Sequence, residues 1–115
     1  MQLNVSNSVE FFKPDGEVEV VLVRFNEHNL MDQETINEMY DELHEACLLA
    51  SSGVKRLLID FHRVTFLSSS AIGKMILLRK TCQEKNVELQ LRNISDDVLA
   101  SFQMMRLNKI FDFQD

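Results

Sequence analysis

The 115-residue sequence predicts an α/β protein: a mixed sheet of four to five strands, in the order ββαβαβαβ, with helices packed on it. Three observations carry that prediction. Two short runs, Val20-Val21-Leu22-Val23 and Leu57-Leu58-Ile59, are apolar without interruption, the pattern of strands buried on both faces. Two other segments repeat apolar residues at spacings of three and four, the period of a helix with one dry side. Strand and helix patterns alternate along the chain, which implies parallel neighbours joined by right-handed crossovers.

The elements follow in order. Lys13-Pro14-Asp15-Gly16 is a proline-led turn whose glycine is free to take a positive φ. It joins a strand at residues 9–12 to a longer one at 17–25 as a hairpin. Asp32 offers an N-cap, and Glu34 places a negative charge in the first turn of a helix. Ile36, Tyr40, Leu43 and Cys47 form its stripe, with Glu38, Asp41, Glu42 and Glu45 mostly toward solvent. Gly53 breaks that helix, and residues 54–61 make the next strand. Ser68, Ser69 and Ser70 open a second helix, whose stripe is Ala71, Met75, Leu78 and Cys82. Val87, Leu89 and Leu91 alternate with Glu88, Gln90 and Arg92, the period of a strand with one dry face. Ser95 caps a third helix, with Asp96 and Asp97 in its first turn and Val98, Phe102 and Met105 on its buried side. Residues 107–113 close with a short strand.

Three glycines and one proline leave no room for a linker, so residues 1–115 read as one domain. The opening residues lack the basic patch and apolar run of a secretory signal, and no stretch has the length of a membrane span. The expected location is the cytoplasm, without membrane association. Twelve basic against 18 acidic residues give a net charge of −6, which argues against direct nucleic-acid binding. An acidic surface is compatible with a protein partner. Cys47 and Cys82 lie far apart, in no CxxC arrangement, each on the apolar side of a helix, and read as buried free thiols.

Catalytic signals are sparse. His28, His44 and His62 have no metal-ligand spacing, and nothing brings Glu27 and Asp60 together as an acid–base pair. Asp60, ending an apolar strand, reads as a carboxylate that organises the following loop by accepting backbone N–H groups. There is no glycine-rich phosphate loop, nucleophile elbow or zinc spacing. The expectation is a protein that is not an enzyme and needs no cofactor or metal. The triple serine stands out instead. Ser68 or Ser69 can cap the second helix, worth about 1 kcal/mol. The same hydroxyls sit at the positive end of the helix dipole, where an added phosphate is tolerated, on a surface where it would repel a partner. Phe66-Leu67 just before them read as an exposed apolar pair, a docking surface or a plug for the sheet edge.

Leu58-Ile59-Asp60-Phe61, followed by Val64-Thr65-Phe66-Leu67-Ser68-Ser69-Ser70-Ala71-Ile72-Gly73, resembles a STAS domain, in particular the bacterial anti-sigma-factor antagonists. Members commonly show a strand ending in Asp and then a Phe-hydrophobic-Asp-Ser-Ser-Gly-Leu-Gly loop. Leu91-Arg92-Asn93-Ile94-Ser95 and Met105-Arg106-Leu107-Asn108-Lys109-Ile110-Phe111 resemble the family's fourth strand, third helix and closing segment, so the likeness covers nearly the whole chain. The resemblance implies a non-enzymatic partner switch. The unmodified antagonist binds an anti-sigma factor, a serine kinase of the histidine-kinase-like ATPase fold, and frees a sigma factor. Phosphorylation of the loop serine by that kinase ends the binding. Matched by position, the phosphoacceptor is Ser69, with Ser68 and Ser70 as alternates, and the partner surface comprises Phe66, Leu67, Ser68, Ser69, Ser70, Ile72 and Lys74. Ser68 stands where the family often has Asp, and Ala71 where it often has Gly. The alternative implications are an unphosphorylated STAS scaffold and, more remotely, a module that senses a nucleotide or small anion.

Overall fold

The computed structural model describes the backbone of residues 2–3, 7–12, 20–25 and 29–114, with side chains for 20–25 and 29–114. The chain runs through β1 (Gln2–Leu3), β2 (Asn7–Phe12), β3 (Val20–Phe25), β4 (Asn29–Leu30) and α1 (Gln33–Ser51). It continues through β5 (Arg56–Asp60), β6 (Phe66–Leu67), α2 (Ser69–Glu84), β7 (Glu88–Arg92), α3 (Asp96–Met104) and β8 (Asp112–Gln114). One sheet has the strand order β1-β2-β3-β5-β7-β8, and β4 pairs with β6 in a separate ribbon. The β3, β5, β7 and β8 strands are mutually parallel, while β1, β2 and β3 pair antiparallel. The expected α/β order therefore holds. The sheet has six strands rather than four to five, because the two-residue β1 joins β2; so short a pairing leaves no periodicity to read.

The apolar runs occupy the centre of the sheet, as their composition requires. Val20, Val21, Leu22 and Val23 are all fully buried. Alternation sends Val21, Val23, Leu57, Ile59 and Leu91 into one large core with the inner stripes of all three helices. Val20, Leu22 and Leu58 form a small separate cluster, the mark of a sheet dry on both sides. The hairpin is present as β2 against β3; its proline-led turn lies outside the described residues.

Asp32 and Ser95 cap α1 and α3 through their side chains, which accept from the Thr35 and Val98 amides. The helices end differently from the expectation. Gly53 follows α1, but the left-handed residue that turns the chain is Lys55, at φ 62°. Asn86 and Arg106 do the same after α2 and α3. At each exit an amide bonds back to the last turn, from Lys55 to Ala50, from Val87 to Cys82 and from Leu107 to Phe102.

Four details depart from the sequence reading. Strand β5 begins at Arg56, two residues late, because Lys55 is committed to the helix exit. The closing strand is only Asp112–Gln114, because residues 107–110 form turns. Glu42 is buried, not solvent-facing, since the dry face of α1 is broader than one line and also takes in Met39, Ala46 and Ala50. Met105 is exposed, because α3 stops at Met104 and its C-cap residue swings away from the core. Among the described residues no helix is long and apolar enough to cross a membrane.

Candidate functional site

The carboxyl ends of the central strands are tied together by one buried side chain. Asp60, only 5% exposed, accepts the His62 backbone N–H at 2.9 Å and the Asn93 side-chain amide at 3.0 Å on the same oxygen. Its other oxygen faces Arg92 at 3.5 Å and Arg24 at 3.6 Å. Asn93 can reach it because it adopts φ 59° just past β7, a conformation asparagine tolerates better than most residues. One carboxylate thus links β3, β5 and β7 and sets the start of the loop that leads to α2. The loop-organising role read from the sequence is what Asp60 performs. Phe61 follows it into the core, edge-on to Phe25 with centroids 5.0 Å apart, and Val64 N–H donates back to the Phe61 carbonyl.

The loop is then strapped to the start of α1. Phe66 and Leu67 pair in parallel with Asn29 and Leu30, and the Ser68 amide donates to the Leu30 carbonyl at 3.0 Å. Thr65 donates to the Asn29 side chain at 3.3 Å, and Ser70 donates to the Gln33 side-chain oxygen at 3.1 Å. These contacts join segments some 37 residues apart in sequence.

This framework separates the three serines. Ser68 is the N-cap of α2: its backbone is extended and its hydroxyl accepts the Ala71 N–H at 3.2 Å. Its hydroxyl supplies the cap that an Asp would also supply. Ser70 is held by Gln33. Ser69, the first residue of α2, is exposed, and its hydroxyl has no partner among the described residues. The first turn of α2 also lacks an acidic residue, whereas α1 has Glu34 there and α3 has Asp96 and Asp97.

Ser69 borders an apolar cavity of about 200 Å³ between the α2 entrance and the end of α3. Phe66 (44% exposed), Met104 (86%) and Met105 (40%) flank it, while Leu67 and Ile72 form its floor. Two residues of the expected partner surface lie mostly inside the protein, at the base of this cavity. Leu67 and Ile72 are 2% and 1% exposed and belong to the core, because β6 turns Leu67 inward and Ile72 lies three residues before the buried Met75. Only Phe66 of the apolar pair faces outward. Lys74 turns away from the cavity, its ammonium 5.1 Å from the centre of the Tyr40 ring on α1. Sequence reading missed Ser101, Met104 and Met105; an α3 stripe through Val98 and Phe102 puts Met104 off the buried line, but not beside Ser69. Ile72→Ala is expected to lower stability by about 2–5 kcal/mol through the cavity it leaves, read as a shift of the urea midpoint. A loss below about 1 kcal/mol would contradict its place in the core.

Among the described residues no three His, Cys, Asp or Glu side chains are grouped to hold a metal ion. A family model for the STAS domain matches residues 11–115. No curated protein matches the sequence closely enough to count as a relative. Among solved structures, the chain is similar to the anti-sigma factor antagonist SpoIIAA in its unphosphorylated form: TM-score 0.67, 18% identity, covering 94% of this chain and 89% of that one. The Bacillus cell fate determinant SpoIIAA in its phosphorylated form gives TM-score 0.61 and 18% identity over 94% and 92%. An anti-sigma factor antagonist from Mycobacterium paratuberculosis gives TM-score 0.65 and 18% identity over 94% and 85%. At these identities the structural likeness is one of fold.

Proposed function

Because the chain belongs to the STAS domain family, we propose that it is a partner switch. Unmodified, it binds an anti-sigma factor and so releases a sigma factor; a phosphate on Ser69 ends that binding. The partner is a serine kinase of the histidine-kinase-like ATPase fold, which adds the phosphate itself, and the exchange takes place in the cytoplasm. The protein contributes a surface and a hydroxyl, and catalyses nothing.

One observation carries this reading: of three adjacent serines, the one whose hydroxyl has no hydrogen-bond partner among the described residues stands beside an apolar cavity flanked by exposed Phe66 and Met104. A partner that covers those side chains must also cover Ser69. A phosphate brings about −1.5 to −2 charges to that spot. Before docking, the charge is well placed at the α2 N-terminus and open to water. Under a docked partner it loses that water. No change of fold is needed for the switch.

The direct test is incubation with the cognate serine kinase and ATP, followed by mass spectrometry. The expected result is a single phosphate on Ser69. Label on another residue, or none, removes Ser69 from the mechanism and leaves the unmodified scaffold as the better reading. The apolar flank has its own test. Phe66→Ala and Met104→Ser are each expected to weaken partner binding about tenfold, the scale of a moderate anchor residue. The Met104→Ser midpoint should barely move, since that side chain is 86% exposed, whereas the half-buried Phe66 should cost about 1 kcal/mol when removed. Unchanged affinity in both variants would place the docking surface elsewhere.

A further inference from the structure

The two cysteines, 35 residues apart in sequence, meet in the fold, with Cys47 Sγ and Cys82 Sγ 3.3 Å apart across the α1–α2 contact. Both are free thiols buried in the core. Cys82 has a second neighbour that Cys47 lacks. It lines a partly open cavity of about 250 Å³, bounded by Arg79 and Gln83 of α2, Glu88 of β7 and Asp112 of β8. A thiol pair in near contact, one residue of which lines a partly open cavity, differs from two inert core residues.

We propose that Cys47 and Cys82 are a reversible modification site, closed to a disulfide by a small hydroperoxide that enters through this cavity. The sulfurs must approach by about 1.3 Å to reach the ~2.0 Å of a disulfide bond. The Cys82 thiol donates to Cys47, and that hydrogen bond, aided by the charge of Lys85, pulls the Cys47 thiol below its usual value against the opposing effect of burial. The bond and burial push the Cys82 thiol up. The pair thus holds one proton tightly, on Cys82, and gives up the other more readily, from Cys47.

The chemistry closes without a further co-reactant. A thiolate sulfur of the pair attacks one peroxide oxygen; the O–O bond breaks, and the leaving hydroxide takes a proton to become water. The sulfur is now a sulfenic acid. The second sulfur attacks it, the S–S bond forms, and hydroxide leaves with the remaining thiol proton as a second water. Two thiols are oxidised by two electrons, and one hydrogen peroxide is reduced to two waters.

The test uses the intact folded chain with hydrogen peroxide, followed by alkylation and non-reducing peptide mapping. The expected result is loss of both alkylatable thiols, a Cys47–Cys82 linked peptide within one chain, and recovery of both thiols after dithiothreitol. Cys47→Ser and Cys82→Ser should each abolish the linked peptide. Two thiols still free after peroxide, or disulfides only between chains, would overturn the proposal. It is independent of the partner reading, because Ser69 phosphorylation and disulfide formation are scored on different peptides.

Discussion

Ser69→Glu is expected to weaken binding of the unmodified-state partner by about 100-fold or more, and Ser69→Ala to leave it within about threefold of the parent. The sign follows from where the side chain stands. Ser69 is exposed, makes no internal hydrogen bond among the described residues, and adjoins the cavity flanked by Phe66, Met104 and Met105. Alanine at the first helical position removes a hydroxyl that caps nothing, since Ser68 supplies the cap. Glutamate adds a charge that must be stripped of water when the apolar flank is covered, at a cost of several kcal/mol unless the partner answers it. The measurement is a titration of each variant against the isolated partner by calorimetry. Equal affinity for the two variants would refute an electrostatic switch at Ser69 and favour a constitutive scaffold. Ser70→Ala serves as the contrast: it breaks a bond to Gln33 without placing charge beside the cavity, so its effect should be small.

Asp60→Ala is expected to lower stability by about 3 kcal/mol, and Asp60→Asn by about 1–2 kcal/mol. The alanine variant leaves the His62 amide and the Asn93 side chain without an acceptor and removes the negative group between Arg24 and Arg92. Asparagine keeps an oxygen for His62 and Asn93 but turns an uncharged amide toward the two guanidinium groups. Both arginines are partly exposed and sit at 3.5 Å or beyond, so water takes over much of their solvation and the hydrogen bonds to Oδ1 dominate the loss. Urea unfolding at constant m-value measures both variants. An alanine variant within about 1 kcal/mol of the parent would show that the strand ends are held by other contacts.

The sequence was most informative where structure depends on residues close in the chain. The caps at Asp32 and Ser95, the stripes of α1 and α2 and the buried run of residues 20–23 in β3 all depend on side chains within one or two turns or on one unbroken run. Ile72 was placed on the partner surface by the resemblance, although its spacing of three before the buried Met75 is local and could have been read from the chain. Glu42 was misjudged for a local reason too, because a helix lying on a sheet buries a wider arc than a single line of apolar residues. Leu67 is different. Its inward direction comes from pairing with Leu30, in a ribbon of two residues per strand with no pattern of its own.

By itself, then, the sequence determined the α/β order, the parallel centre of the sheet, the loop role of Asp60 and the resemblance that singles out Ser69. Only the tertiary structure decided that Gln33 engages Ser70, that Met104 and Met105 of α3 stand beside Ser69, and that Cys82 reaches Cys47. The physical reason is distance along the chain. Periodicity and capping act over three or four residues, whereas each of these meetings joins segments brought together by a crossover and exists only once the shared core has packed.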